Sequence, residues 1–361
     1  MTDIKKLKSL LEKLSNAHGI SGHEGDVREV IKKEIESCVD EVRTDNFGNL
    51  IAIKKGKSPS VMIAAHMDEI GLMAKYIDDE GFVRFAKVGG WFDQTLVNQR
   101  VLLHTKKGTV TGVIGSKPVH VMKSEDKKKA LEAGDMFIDI GASSRDEAIA
   151  MGVEPGVTAS LDQKLAELAN DRVTGKAFDD RAGGAVLITA LKQIVGMKLT
   201  PSVMAVFTVQ EEVGLKGART SAFGLNPDVG IALDTCIPGD HPGIKKTDSA
   251  VEIGKGPSIT VMDAGGRGVI THPRVLEWLC ETAKAKGIPY QMDVTESGTT
   301  DASAISLTRE GVPSGVISIA TRYIHTPVEV LSLKDLAQTV DLVVEAIKSA
   351  GNYFQGFKHA D

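Results

Sequence analysis

The chain has 361 residues, 42% of them hydrophobic and 25% charged, the balance of a globular protein with room for one large domain and a smaller one. A formal net charge of -5 leaves no basic footprint, which argues against a nucleic-acid partner. No apolar run approaches the ~20 residues of a membrane span, and three scattered cysteines, Cys38, Cys236 and Cys280, form neither a CxxC pair nor a disulfide framework, as expected of a reduced, cytoplasmic compartment.

The N-terminal MTDIKKLKSLLEKLS intersperses Lys with Leu at helical spacing, so it reads as an amphipathic helix rather than a signal peptide. Helices are expected over 3–17 and 24–38, and the segment 41–56 reads as a hairpin turning at NFGN. VMIAA (61–65) is a short continuous apolar run, the pattern of a strand buried on both faces. From 72 to 163 the texture changes to short alternating segments broken by DDEG and KKG turns. Helical periodicity survives there only near DKKKALEA and SRDEAIAMG, which predicts a small β-rich insert.

From 164 onward strands and helices alternate. RAGGAVLITALKQIV reads as a helix, PSVMAVFTV and VGIAL as strands, and RVLEWLCETAKAK as a helix ending on Gly287. GVISIA is a further strand, and LKDLAQTVDLVVEAIKSA a last amphipathic helix ending on Gly351. The two ends of the chain, 1–71 and 164–361, thus predict an α/β domain whose sheet is covered on both faces.

Polar residues follow these apolar runs in a consistent way. VMIAA runs into His66, Asp68 and Glu69; PSVMAVFTV leads to Glu211 and Glu212; VGIAL ends at Asp234; GVISIA leads to His325. Ligands bind at the C-terminal strand edge of open α/β sheets. A further pair, Asp179-Asp180, precedes a helix whose dipole favours carboxylates, so either can be a simple cap. Singly, each residue suits a structural role. Together they form an acidic cluster with no matching Lys or Arg set nearby, and metal cations supply the missing charge. Two His and three carboxylates suit two zinc-like ions bridged by a carboxylate and a water. One glutamate of 211–212 then binds metal while its neighbour moves a proton, and Asp68 is placed to accept the second N–H of His66.

The segments AAHMDEIGLM (64–73), AFDDRAG (177–183), TVQEEVGLKGARTSAFG (208–224), ALDT (232–235), GTTDASAI (298–305) and RYIHTPVE (322–329) run in order through nearly the whole chain. In them the sequence resembles the cytosolic two-metal aminopeptidases that form tetrahedral dodecamers, among them glutamyl and deblocking aminopeptidases. The resemblance implies a mixed-sheet, zinc-exopeptidase-like catalytic domain and makes the 72–163 insert a dimerisation domain. It implies peptide substrates, two Zn²⁺ or Co²⁺ ions per subunit, and self-association into a dodecamer built from dimers.

It makes His66, Asp179, Glu212, Asp234 and His325 the metal ligands, with Asp179 bridging, Glu211 the general base and Asp68 the partner of His66. Attack by a metal-bridged hydroxide on the first peptide carbonyl is the implied mechanism, and a cis peptide at 179–180 is expected. Thr295–Thr300 departs from the glycine run that some relatives carry before the TDA segment, which leaves the side-chain preference open.

Two other classes compete with this reading. Some relatives carry a cellulase label, but glycoside hydrolysis needs two carboxylates flanking a sugar bond, not two strand-end histidines, and the chain has only two Trp to stack on sugars. A non-catalytic, metal-dependent assembly protein has no use for Glu211 beyond the ligands. His104 and His120 are expected on the insert, His241 in a loop and His272 at a helix start; Cys236 lacks a nearby activating base.

Overall fold

The computed structural model describes residues 2–356. Its sheet is built around four adjacent parallel strands, in the order Pro201–Thr208, Lys57–His66, Val229–Cys236 and Ser314–Arg322. Antiparallel strands extend the sheet at both ends: the hairpin Glu41–Thr44 and Leu50–Lys54 on one side, Glu329–Ser332 and its neighbours on the other. Two short strands, Ser258–Met262 and Gln291–Val294, pair with each other, and the first also pairs with Ser314–Arg322. Alternation did not reveal these two strands.

The continuous apolar texture of the central strands follows from burial on both faces. On one face Leu7, Leu11 and Leu14 of helix Ile4–Asn16 pack with Val186, Leu187 and Leu191 of helix Phe178–Gln193 and with the buried stripe of helix Leu333–Ser349. On the other face, Ala218 and Ala222 of helix Lys216–Leu225 and Ile305 of the short helix Asp301–Ser306 cover Met62, Ala64 and Val206.

The β-rich texture resolves into a closed six-stranded antiparallel barrel, whose strands lie between Gly71 and Leu161 and which has its own core of Leu72, Val83, Leu103, Ile114 and Ile138. Helical periodicity at SRDEAIAMG becomes helix Arg145–Ala150, but DKKKALEA forms no α-helix. Only Leu131 there offers a sizeable apolar side chain to the barrel core, too little to support a helical face. Helix Pro273–Lys286 ends on left-handed Gly287, as its sequence requires. Gly351 does not end the last helix: a further turn, Gly351–Phe354, follows, because Phe354 is buried edge-on against Trp278.

Candidate metal centre and active site

Strand register brings the donors to one level. Thr208 pairs with His66, and the pairing of Ala232 with Ala64 carries Asp234, two residues on, to the height of His66. His66, Asp179 and Asp234 form one group of donors within 4.8 Å of one another, and Asp179, Glu212 and His325 form a second. Asp179 belongs to both. Its Oδ1 lies 3.1 Å from His66 Nε2 and its Oδ2 3.4 Å from His325 Nε2, while Glu212 Oε2 lies 3.1 Å from that same His325 nitrogen.

The neighbouring Asp180 is fully buried but serves the backbone, accepting from the His66 and Gly183 amides at 3.2 and 2.9 Å. A Cβ at Gly183 would stand 2.4 Å from the Asp180 carboxylate, so only glycine leaves room for it. The 179–180 peptide is cis.

Electrostatics at this edge are those of a site short of positive charge. Burial, reinforced by Asp179, pushes Asp234 well above the usual carboxylate range, and burial likewise raises Glu212. Burial works against a charged His66, yet the surrounding Glu211, Asp179 and Asp68 carboxylates outweigh it and hold the imidazole well above its usual pKa. Burial opposes charge on His325 too, but Asp179 and Glu212 raise it to about 11. Among the described residues, no Lys or Arg pairs with Asp179, Glu212 or Asp234; the basic groups that face this cluster are the imidazoles of His66 and His325. Oxygen and imidazole donors with a deficit of cations fit the binding of divalent metal.

Cations do lie behind the site, contrary to the sequence expectation, but they are already engaged. Buried Lys176 pairs with Glu69 at 2.6 Å, and Arg181 approaches Glu69 at 3.4 Å. Arg181 also donates to the carbonyls of Leu14, Ala17 and Gly19, which secures the end of the first helix. Glu69 is therefore consumed by this network and is not free for a substrate ammonium.

Four successive amides fix the loop that carries the two glutamates. Asn49 Oδ1 accepts from Val209 at 3.1 Å, Glu24 Oε1 from Gln210 at 3.1 Å, and Asp68 from Glu211 and Glu212 at 3.0 and 3.2 Å. Beside His66, Asp68 offers both its main-chain oxygen, 3.0 Å from Nδ1, and its carboxylate, 3.6 Å from Nδ1, while the carboxylate also holds the loop.

Glu329 has a similar office on the other side. Only 2% exposed, it accepts from the main-chain amides of Asp179 and His325, both at 3.0 Å. Left-handed backbone at Ala177, Gln210, Tyr323 and His325 accompanies these turns, an uncommon conformation for residues other than glycine. Glu24, Asn49 and Glu329 escaped the sequence reading because each acts through a main-chain amide. Glu329 closes the quoted segment RYIHTPVE four residues after His325, which was its one visible signal.

Glu211 is buried beside the donors, its Oε2 3.9 Å from His66 Nε2, and burial together with Asp234 and Asp301 raises its pKa well above the ordinary value. The other histidines stand where the sequence reading put them. His104 lies on the barrel, stacked 3.4 Å from His18; His120 is exposed; His272 caps helix Pro273–Lys286. Burial and the charge of Asp293 push the Cys236 thiol up, the opposite of a nucleophile.

Fold and site together define a metal-dependent hydrolase. Residues 48–342 match the M42 glutamyl aminopeptidase family, and the chain belongs to it, as a metal-dependent aminopeptidase. It is similar to the lysyl aminopeptidase of Pyrococcus furiosus, at 36% identity over 92% of this chain and 94% of the relative. Its structure superposes on an aminopeptidase of the archaeon Desulfurococcus kamchatkensis with a TM-score of 0.93, 44% identity and 99% coverage of both chains. A TET peptidase of Pyrococcus horikoshii, described as assembling into a tetrahedron or a large octahedral shell, gives 0.86 at 36% identity, covering 95% of this chain and 99% of that one.

The fold is also shared, with a TM-score of 0.77 at 35% identity over 94% of this chain and 97% of the other, by a Thermotoga maritima protein named an endoglucanase. That name does not rescue the glycosidase alternative, since the family matched is a peptidase family. No helix among the described residues is long and apolar enough to cross a membrane.

Glu329→Gln offers one carbonyl oxygen where two carboxylate oxygens accept amides. Zinc affinity, measured by competition with a chromogenic chelator, is expected to fall about 10- to 100-fold in this variant; unchanged affinity would contradict its positioning role.

Proposed function

We propose that the chain removes N-terminal residues from peptides with two divalent ions, Zn²⁺ or Co²⁺. One ion would be held by His66 and Asp234 and the other by Glu212 and His325, with Asp179, which belongs to both donor groups, available to each. The observation that carries this reading is the membership of Asp179 in both donor groups. When bound, such a pair of ions polarises a carbonyl and lowers the pKa of a water between them.

Glu211 is the general base in this scheme. Its carboxylate takes a proton from the attacking water and returns it to the departing amine, a cycle suited to a buried carboxyl whose pKa lies above its ordinary value. Asp68 and Glu24, by holding the amides of residues 210–212, keep Glu211 and Glu212 at fixed separations from the other donors. The family description speaks of glutamate and the Pyrococcus furiosus relative of lysine, so family membership does not select the residue removed.

Self-association into a dodecamer built from dimers, through the segment 72–163, belongs to the same proposal. The TET neighbour supports it, as do Phe92, Val119 and Val121, which stand 65%, 59% and 63% exposed on that segment. A cytoplasmic setting suits cysteines that are all free thiols.

Dialysis against a chelator is expected to abolish hydrolysis of aminoacyl anilides, and Zn²⁺ or Co²⁺ to restore it. Glu211→Gln is expected to keep its metal while turnover drops by about 10²- to 10⁴-fold. Near-normal turnover in that variant would remove Glu211 from the role. Sedimentation velocity on the active enzyme is expected to show a large closed assembly; a strictly monomeric active species would contradict the assembly proposal.

A further inference from the structure

A cavity of about 660 Å³ opens from the donors between the end of strand Val229–Cys236 and the short strands Ser258–Met262 and Gln291–Val294. Ile237, Ile244 and Ile324 give it aliphatic wall, and Thr295–Thr300, the stretch that departs from the glycine-run pattern, contributes hydroxyls. Asp263 and Asp293 also line it, 3% and 7% exposed, and exposed Asp248 stands in the same lining. Among the described residues that line the cavity there is no Lys or Arg, and the lone basic side chain is His325 at the metal end.

Asp263 has unmet bonding capacity. Its Oδ1 accepts from the Val269 amide at 2.6 Å, but its Oδ2 is buried without a hydrogen-bond partner. Burial, with the nearby charge of Asp293, pushes its carboxyl up to about 6, and burial raises Asp293 too. Two buried carboxylates that line one cavity are stabilised by a cation that enters it.

We infer that this cavity receives the side chain of the substrate's first residue, and that Asp263 and Asp293 select a cationic one, lysine or arginine. The inference rests on the aminopeptidase reading above and assigns the substrate class that family membership leaves open. Aliphatic walls suit the methylene stem of such a side chain, while its ammonium or guanidinium meets the carboxylates. A glutamate side chain would bring a third negative charge to two that already repel. An apolar side chain of the same length would leave both carboxylates buried and unpaired, which is how a polar pocket rejects an isostere.

The test is a panel of anilides of Lys, Arg, norleucine, Leu and Glu with the metal-loaded enzyme. Norleucine matches the chain length of lysine without the charge. The expected kcat/KM for Lys and Arg exceeds that for norleucine by about tenfold or more, with Glu lowest. In Asp263→Asn and Asp293→Asn the Lys-to-norleucine ratio is expected to fall by about tenfold, chiefly through KM for Lys. Because the ratio is taken within one preparation, partial misfolding does not alter it. Norleucine or Glu matching Lys in the wild type, or an unchanged ratio in both variants, overturns the inference and leaves the aminopeptidase reading standing. If the metal-loaded enzyme cleaves none of the five, it is the aminopeptidase reading that fails.

Discussion

Everything at the active edge depends on an excess of negative charge that the protein does not neutralise with its own cations. Asp179, Glu212 and Asp234 converge on two imidazoles, and Asp179 reaches both. Burying such a cluster is costly unless protons or metal ions balance it. The fold reduces that cost by supplying backbone amides rather than side-chain cations. Glu329 ties the amides of Asp179 and His325 together, Asp180 takes those of His66 and Gly183, and Asp68 takes those of Glu211 and Glu212. The result is a set of donors fixed through their main chains, with their side chains left free to bind.

The positive charge that the chain does bury is kept away from this edge. Lys176 and Arg181 share Glu69 and bind the carbonyls at the end of the first helix. Those contacts join the N-terminal segment to helix Phe178–Gln193, whose first turn carries Asp179. A cation placed among the donors would compete with the metal ions; placed behind them, it braces the backbone that presents them. The same economy of cations recurs in the cavity, where Asp263 and Asp293 meet no Lys or Arg among the described lining residues.

Much of this was legible in the sequence, for definite physical reasons. A strand buried on both faces is a continuous apolar run, so a His or carboxylate at its end stands out, and His66, the pair Glu211–Glu212 and Asp234 were visible that way. The parallel register that levels them was not, because pairing is set by distant segments. Asp179 and Asp180 could not be told apart by spacing, and only the family resemblance chose between them; in the structure one faces the donors and the other the backbone. Glu24, Asn49 and Glu329 act on main-chain amides far away in sequence, which no local pattern records. Asp293 was hidden for another reason: its four-residue strand buries the aspartate and exposes its apolar neighbours Met292 and Val294, the reverse of the alternation that marks a strand's core face.

The central claim, that one carboxylate joins two metal sites, is tested most directly by counting metal. Wild-type enzyme dialysed against buffered Zn²⁺ and analysed by inductively coupled plasma mass spectrometry is expected to hold two ions per chain. Asp179→Asn, which removes the charge common to both groups, is expected to retain fewer than one. A variant that keeps both ions, or a wild type that saturates at one, would contradict the account.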